Sequence, residues 1–240
     1  MVVEEAMKKM FEEPVEDYLV TIYKLQKLYG VARTSMIAKD LHVRDGTVSK
    51  VLKHLEKEGY VTIVKYKGAR LTPEGEKIAS RILRNHRILE YFLHEFLGFD
   101  IFSAHRLAHR MEHLPEEVID AIYRKIGMPK TCVYGLPLDE EKGSEKGIVT
   151  LDKAEVGCRY RITCLLGELE TVLMKFKEVG CFLCCDVRVE SKGSKGIVIE
   201  ISPDKKLVLS LEEAKSIGVE RLNCHGTNNT ARSGTARKNC

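Results

Sequence analysis

The sequence contains no run of about 18 apolar residues, the length that a helix needs to cross a bilayer. Its first 16 residues are rich in charge and contain no apolar core typical of a secretory signal. All eight cysteines lie at or after Cys132. We therefore expect a cytoplasmic protein without a membrane partner, in which a disulfide framework is not expected.

The composition indicates a globular chain, because 44% of its 240 residues are hydrophobic and 31% are charged. The net charge of +4 says little by itself, but the charge is unevenly distributed. Residues 33–72 contain nine Lys or Arg against four Asp or Glu. This basic stretch is either a footprint for nucleic acid or the ordinary solvated surface of a helical subdomain.

The order of elements in the first third of the chain favours a DNA-binding domain. Apolar spacing predicts a helix from Val15 to Gly30, a short helix from Thr34 to Leu41, and another from Gly46 to Glu58. A strand over 61–64 and a return strand over 70–72 follow. This is the order of a winged helix-turn-helix, whose second helix enters the major groove. The candidate DNA-binding residues are Arg33, Arg44, Thr47, Ser49, Lys50, Lys53, Lys65 and Lys67.

The middle of the chain carries histidines and carboxylates at helical spacing. His105, His109, Glu112 and His113 fall within roughly 100° of arc on a helix that we predict from an N-cap at Ser103 to His113. Imidazoles and a carboxylate that converge in this way suit a divalent transition metal. The alternative is a polar face, or histidines satisfied by hydrogen bonds. The preceding helix, predicted over Pro73 to Leu97, and its neighbours have more apolar residues than one small domain needs, which suggests a dimer interface.

The second half changes to a period of two. Short strands are predicted at 148–151, 160–164, 186–190, 197–201 and 206–209, which indicates a small β-barrel. The fold class is therefore multidomain and mainly α. We place a winged helix-turn-helix at 1–72, a helical metal-binding and dimerisation domain at 73–131, a linker at 132–146, an SH3-like domain at 147–222 and a disordered tail at 223–240.

With these pieces in place, the chain resembles the diphtheria toxin repressor family of metal-dependent transcriptional regulators over about residues 15–222. The likeness rests on seven segments: Glu16–Tyr23, Thr47–Lys50, Leu71–Gly75, Asn85–Glu90, Met111–His113, Val156–Ile162 and Phe176–Gly180. The last two resemble the SH3-like (FeoA-type) domain of the longer members. The resemblance implies a homodimeric repressor of metal-uptake genes that binds a double-stranded DNA operator and has no small-molecule substrate.

The resemblance also implies two metal sites. The primary site would consist of Asp17, His109, Glu112 and His113. The ancillary site would consist of His86, Glu90 and His105, completed by oxygen ligands from the C-terminal domain, for which Glu168 and Glu170 are candidates.

Departures from the family leave the metal open between Fe²⁺ and Mn²⁺, and other divalent transition metals are able to substitute. Iron-type members have a Met and a Cys where this chain has Asp17 and His109, so the sulfur ligands are gone and the site is harder. Asp17 resembles the manganese type, but the second first-helix carboxylate of that type falls at Val20 here. The two-ion manganese cluster of that type therefore lacks one of its carboxylate ligands in this chain.

Three other interpretations of the sequence stay open at this point. The His and Glu residues could form a metallohydrolase centre, although His109-x-x-Glu112-His113 is not the motif of zinc proteases. A metal-independent DNA-binding structural protein would leave the histidines and the glutamate on one helix face unexplained. Cys181-x-x-Cys184-Cys185, with Cys158 and Cys164, could hold a soft metal or an Fe–S cluster, or could pack as small buried hydrophobes.

Overall fold

The computed structural model of the chain describes residues 2–138 and 147–224, with side chains from residue 15 to residue 222. These residues form two compact units. The first unit extends to Val133 and includes Pro137 and Leu138, and the second contains Tyr134–Leu136 and the residues from 147 onward. Most of the predicted linker (139–146) and nearly all of the predicted disordered tail (225–240) lie outside the described residues. Within the described part of the chain, no helix is both long and apolar enough to span a membrane.

The first unit begins with three helices and a hairpin. They are α1 (Val2–Tyr29), α2 (Thr34–Asp40), α3 (Asp45–Lys57), β1 (Val61–Val64) and β2 (Gly68–Leu71). This is the predicted winged helix-turn-helix, with α3 in the position of the recognition helix. One boundary differs, because α1 begins at Val2 rather than at Val15. The proline at position 14 does not end the helix, although it removes one backbone hydrogen bond from the helix interior.

The hairpin, or wing, is held against the segment that precedes α2. Ala32 and Ala69 exchange backbone hydrogen bonds of 3.0 and 2.9 Å. Gly68 has a φ of +130°, and a Cβ there would lie 2.0 Å from the carbonyl oxygen of Ala32. Only glycine fits this close approach, so Gly68 allows the wing to pack directly against the backbone that precedes α2.

Three more helices complete the first unit. They are α4 (Pro73–Tyr91), α5 (Ile101–His109) and α6 (Glu116–Lys125). The hydroxyl of Thr72 caps α4 by accepting from the Gly75 N–H at 3.2 Å. After Tyr91 the chain continues as a π-helix over Phe92–Phe96, so the single helix predicted to Leu97 changes its hydrogen-bond pattern in its last turn.

The second unit is a small β domain with two short helices. Its elements are β3 (Cys158–Leu165), α7 (Glu170–Val179), β4 (Asp186–Gly193), β5 (Gly196–Ser202), β6 (Lys205–Leu209), α8 (Leu211–Lys215) and β7 (Ile217–Cys224). The strands form one antiparallel sheet in the order β6-β5-β4-β3-β7. The fully buried side chains of Phe176, Val189 and Ile199 belong to the core of this unit. The predicted multidomain, mainly α fold with a C-terminal β domain is confirmed.

Two elements of this unit differ from the prediction. Residues 148–151 do not form a strand of the sheet, because Thr150 makes only an isolated bridge to Gly218 and a 3₁₀ turn begins at Leu151. The fifth strand is β7 instead, and its last two residues fall in the predicted disordered tail. Helix α7 was not predicted, although its buried residues Val172, Leu173 and Phe176 have helical spacing.

The cysteines of the second unit also differ from the expectation of no disulfides. Cys181 and Cys185 are joined in a disulfide, with their Cα atoms 5.8 Å apart. The turn between α7 and β4 brings these two residues within the range that disulfides require. Cys164 remains a buried thiol.

Candidate metal centre and nucleic-acid interface

Two helices position most of the candidate ligands. His86 and Glu90 are one turn apart on α4, and His105 and His109 are one turn apart on α5. Helix α5 begins at Ile101 because the carboxylate of Asp100 accepts hydrogen bonds of 3.1 Å from the Phe102 and Ser103 N–H groups. The predicted N-cap at Ser103 was therefore wrong by one turn.

The C-terminal end of α5 separates the four residues that we predicted on one helix face, His105, His109, Glu112 and His113. The helix ends at His109, and the N–H groups of Met111 and Glu112 both donate to the Ala108 carbonyl at 2.9 Å. Glu112 and His113 consequently lie in a turn beyond the helix. The predicted helix through His113 was too long, so the 100° arc does not describe these two side chains.

One cluster of possible ligands joins this turn to α1. Ligand atoms of Asp17, Glu112 and His113 all lie within 4.8 Å of one another. His113 Nε2 is 3.3 Å from Asp17 Oδ1, and His113 Nδ1 is 2.8 Å from Glu16 Oε2. Glu16 was not among the predicted site residues. The sequence gives one hint of its role, its place beside Asp17. Adjacent residues of a helix point about 100° apart, so helical spacing did not predict that both side chains reach the same histidine.

A second cluster lies between α4 and α5. Ligand atoms of His86, His105 and His109 are also within 4.8 Å of one another. His105 Nδ1 is 2.6 Å from Glu90 Oε1, and His86 Nε2 is 3.1 Å from the same oxygen. The predicted ancillary residues are therefore neighbours, and His109 lies with them as well as near Glu112.

The buried carboxylate of Glu112 lies between the two clusters. Its Oε2 accepts a hydrogen bond from His86 Nδ1. Its Oε1 is 3.4 Å from His109 Nδ1 and 3.8 Å from His113 Nε2. Three imidazoles therefore face this one carboxylate: His86 and His109 from the second cluster and His113 from the first.

The charges of these groups stabilise one another. Burial lowers the pKa of His86, but Glu90 and Glu112 outweigh it and raise that pKa to about 10. The pKa of His113 is likewise raised to about 10, since hydrogen bonds to Asp17 and Glu16 outweigh burial. Burial would raise the pKa of Glu112, but the neighbouring histidines hold it well below its usual range. Without a metal, imidazolium and carboxylate groups therefore balance inside the site.

The donor atoms fit a divalent transition metal. Ligands at about 2.1 Å from one ion are at most about 4.2 Å apart, so each cluster needs only a small contraction. The donors are imidazole nitrogens and carboxylate oxygens, with no sulfur. That set suits ions such as Mn²⁺, Fe²⁺ and Zn²⁺.

The candidates from the C-terminal domain belong to the second unit. Glu168 lies in the short turn Leu166–Glu168, and Glu170 begins α7. Their completion of the ancillary site stays a prediction.

The predicted DNA-contacting residues form an exposed set on the first unit. All of them are exposed: Arg33, Arg44, Thr47, Ser49, Lys50, Lys53, Lys65 and Lys67. Two details modify the picture. The Ser49 hydroxyl donates to the Asp45 carbonyl at 2.9 Å. Arg70, a further exposed cation of the wing, donates from its side chain to the Gly30 carbonyl at 2.7 Å.

The wing also presents an aromatic residue that sequence reasoning missed. Tyr66 is 95% exposed at its tip, and the ammonium of Lys65 lies 5.1 Å from the centre of its ring. A large aromatic ring that is exposed next to cations is the kind of group that contacts a nucleic acid.

Comparisons with known proteins agree with this architecture. Residues 10–69 match the family model described as Iron dependent repressor, N-terminal DNA binding domain. Residues 72–139 match Iron dependent repressor, metal binding and dimerisation domain, and residues 149–221 match the FeoA domain.

Individual proteins give the same result. Diphtheria toxin repressor of Corynebacterium glutamicum is 30% identical over 223 residues, which cover 88% of this chain and 97% of that protein. Its counterpart from Corynebacterium efficiens is 31% identical over 149 residues, which cover 58% of this chain and 65% of that protein, slightly under two thirds. A solved structure described as a manganese-dependent transcriptional repressor in complex with manganese is 25% identical, with a TM-score of 0.63, and covers 87% of this chain and all of that one.

These relatives are transcriptional regulators rather than enzymes, so the metallohydrolase interpretation is not supported. The matched domains imply DNA binding and dimerisation. The chain belongs to the diphtheria toxin repressor family of metal-dependent transcriptional regulators.

Proposed function

We propose that the protein is a homodimeric repressor that binds a double-stranded DNA operator when Fe²⁺ or Mn²⁺ occupies its metal centre, and that it controls genes for metal uptake. Binding to chromosomal DNA would place it in the cytoplasm. Oxygen and nitrogen donors without sulfur favour these ions over softer ones. The related structure described as a complex with manganese supports the same choice.

The position of α1 is the observation that carries this proposal. Asp17 and Glu16 of α1 lie within 3.3 and 2.8 Å of His113, which follows α5. An ion held by Asp17, Glu112 and His113 would therefore join the first helix to the region that follows the winged helix-turn-helix.

The other contacts of α1 reach the DNA-binding elements. Thr21 donates to Asp40 of α2 at 3.1 Å. The Gln26 side chain accepts from the backbone N–H of Leu71 in the wing at 2.8 Å. A change in the position of α1 would consequently move α2 and the wing with it.

The ion would act by selecting one arrangement of the DNA-binding elements. In a dimer, the two copies of α3 must match successive major grooves, so a small rotation of each changes the fit. Exposed apolar side chains at the end of the π-helix and just after it, Phe96, Leu97 and Phe99, would provide a surface for dimerisation. Metal binding would then shift a population of dimers towards the spacing that the operator accepts.

Fluorescence anisotropy tests the proposal. The probe is a duplex selected from a random pool by the Mn²⁺-loaded full-length protein, and affinity is measured with Mn²⁺ and with excess chelator. A coupling of about 1–3 kcal/mol predicts affinity about 5–150-fold higher with metal. Asp17→Ala should bind with chelator-level affinity at both conditions.

The matched control is Glu76→Ala. Glu76 is also a carboxylate that contacts α1, through Gln26 at 2.7 Å. Among the described residues, no hydrogen bond or ion pair joins it to a candidate ligand. This variant should keep the full response to metal. Full affinity of Asp17→Ala in the presence of metal, or equal affinity of the natural protein with and without metal, would overturn the proposal.

A further inference from the structure

The turn between α7 and β4 contains three cysteines, in the order Cys181-x-x-Cys184-Cys185. Cys181 and Cys185 are joined in a disulfide, with their Cα atoms 5.8 Å apart. The candidate metal clusters of the first unit contain no sulfur. Three sulfur atoms within five residues are therefore a chemical capacity that the proposed function does not use.

We propose that this turn is a redox-gated thiolate site. In the oxidised protein the Cys181–Cys185 disulfide closes it. In the reduced protein the thiolates of Cys181, Cys184 and Cys185 bind one thiophilic divalent ion, of the class of Zn²⁺, Co²⁺ and Cd²⁺. The site goes beyond the proposed function, because it belongs to the second unit and needs no ligand from the clusters of the first.

The end of α7 fixes the position of Cys181. Gly180 ends the helix with a φ of +65°, and the Cys181 N–H donates back to the Phe176 carbonyl at 3.1 Å. This hydrogen bond is the usual closure of a helix that ends at a left-handed glycine. The carbonyl groups at a helix C-terminus carry partial negative charge, so the place directly after α7 favours a bound cation.

Strand β3 holds the other side of the turn. The Cys184 N–H donates to the Ile162 carbonyl at 2.8 Å, and the Ile162 N–H donates to the Cys185 carbonyl at 3.0 Å. The Cys185 N–H also donates to the Phe182 carbonyl at 3.2 Å, which closes a four-residue turn. Cys184 and Cys185 are half-buried, so the backbone holds them while a small ion or a small thiol reagent still has access.

The backbone at Cys184 is unusual for a residue with a side chain. Its φ is +63°, in the left-handed region that glycine occupies at no steric cost. Conformations of this kind cost free energy and are concentrated at functional sites. A cysteine at this position favours a role for the sulfur over a role for the turn alone.

The spacing and the donor atoms decide the class of ion. Cys181 is followed by cysteines after two and after three intervening residues, and both spacings are within the range that zinc sites use. Thiolates select soft and borderline ions, whereas Mn²⁺ favours oxygen ligands. Binding to thiols releases their protons, so the affinity should rise with pH.

The oxidised and the metal-bound states exclude each other. A disulfide has no thiolate to offer an ion. Closing it requires an oxidant, which we take to be a low-molecular-weight disulfide such as oxidised glutathione. The two thiols of Cys181 and Cys185 form one S–S bond, the S–S bond of glutathione breaks, and the two protons and two electrons leave as two molecules of reduced glutathione.

Co²⁺ titration of the metal-free full-length protein tests the proposal. One sample is reduced with a phosphine under anaerobic conditions, and the other is oxidised with oxidised glutathione. Thiolate ligands give Co²⁺ a charge-transfer absorption in the near ultraviolet that oxygen and nitrogen ligands do not give. The reduced protein should bind one more Co²⁺ than the oxidised protein and show this band. Zn²⁺ should remove the band, and excess Mn²⁺ should leave it.

Substitutions locate the site within the chain. Cys181→Ser, Cys184→Ser and Cys185→Ser should each weaken the band and lower Co²⁺ affinity at least about tenfold, since a ligand contributes no less than an outer partner. Cys164→Ala is the matched control. It removes a buried thiol of the same unit whose sulfur faces β7, because a Cβ on Gly218 would lie 2.3 Å from it. This variant should keep the band.

Three outcomes would overturn the proposal. The reduced protein, with its thiols counted by a chromogenic disulfide reagent, develops no band; the oxidised protein gives the same band; or the Cys181→Ser, Cys185→Ser double variant keeps it. The comparison of reduced with oxidised natural protein needs no substitution, so it decides even where a variant does not fold. Asp17→Ala should keep the band, and failure of the proposed function appears separately, as metal-independent DNA affinity.

Discussion

Replacing Glu16 by Gln should weaken metal binding although Glu16 is not a predicted ligand. Its Oε2 lies 2.8 Å from His113 Nδ1, and His113 Nε2 faces Asp17 Oδ1 at 3.3 Å. A carboxylate in this place holds the proton on Nδ1, turns Nε2 towards the ion and makes the imidazole a stronger donor. Gln keeps the size of the side chain and an oxygen acceptor, but it removes the charge.

The structure sets the expected magnitude near the lower end of the known range. Loss of such an outer partner costs about 10–100-fold in metal affinity, or about 1.4–2.7 kcal/mol. The Glu16 side chain is 24% exposed, and its other oxygen lies 3.5 Å from Arg81, which already offsets part of its charge. Solvent screening and this ion pair reduce the effect, so we expect about a tenfold loss of affinity.

Competition between the metal-free protein and a fluorescent chelator for Mn²⁺ measures this loss directly. Glu76→Gln serves as the control, because Glu76 pairs with Gln26 of α1 and lies away from the ligands. It should match the natural protein. An affinity for Glu16→Gln within about twofold of the control would refute the argument that Glu16 acts through His113.

The remaining predictions concern protons, the wing and the second unit. The pKa values of His86 and His113 are about 10, so both side chains are protonated at neutral pH without metal. Metal binding must then release protons, and the apparent Mn²⁺ affinity should rise between pH 6 and pH 8. An affinity that calorimetry finds independent of pH would contradict this. Because folding raises these pKa values, the two protonated histidines stabilise the metal-free protein fully below about pH 6.5, and this contribution is lost as the pH rises towards 10. The free energy of unfolding in urea, measured at a series of pH values, should show this loss. Lys67→Ala should lower the slope of log affinity against log salt for DNA by about 1, while Lys205→Ala in the second unit should leave the slope unchanged. Phe176→Ala should destabilise the second unit by about 3–5 kcal/mol in denaturant unfolding of the full chain, because the ring is fully buried; a loss below about 1 kcal/mol would show that the site collapses around the cavity.

The winged helix-turn-helix could be predicted from sequence because its local signals agree with its packing. Val48, Leu52 and Leu55 repeat at helical spacing and are all buried on α3. Gly30 marks the end of α1 with a φ of +78°. Where periodicity, turn residues and burial point the same way, spacing alone gives the element and its buried face.

The residues around α5 show that helical spacing does not predict where a helix begins and ends. Asp100 and Ser103 are both good N-cap residues, and the sequence does not say which one begins α5. Asp100 does so, and it accepts from the N–H of Ser103 itself. The end of α5 at His109 was equally hidden, and it determines which ligands share a face. Glu16 was missed for a related reason, since its importance comes from a contact with a residue 97 positions away.

The last strand of the second unit was missed because its pairing is not local. β7 pairs with β3, from Ile217 opposite Leu165 to Cys224 opposite Cys158. Its own sequence, Ile217–Cys224, alternates weakly and contains charged residues that tolerate a loop. Nothing within eight residues reveals that a strand about 60 positions earlier needs a partner at its edge.

Val20 explains why the connection between metal and DNA-binding elements depends on so few residues. By the family resemblance it occupies the place of a second first-helix carboxylate of the manganese type, and it is 4% exposed within the packed core of the first unit. The hydrogen-bonding contacts of α1 with the candidate ligands come from two adjacent positions of its described side chains: Asp17 directly, and Glu16 through His113. The ancillary candidates His86, Glu90 and His105, by contrast, come from α4 and α5, and an ion that they held would not need a ligand from α1. An ion bound only to the ancillary residues would then leave α1 free to move, whereas an ion bound to Asp17 would fix it. If occupancy of the two positions can be separated, DNA affinity should follow the Asp17 position.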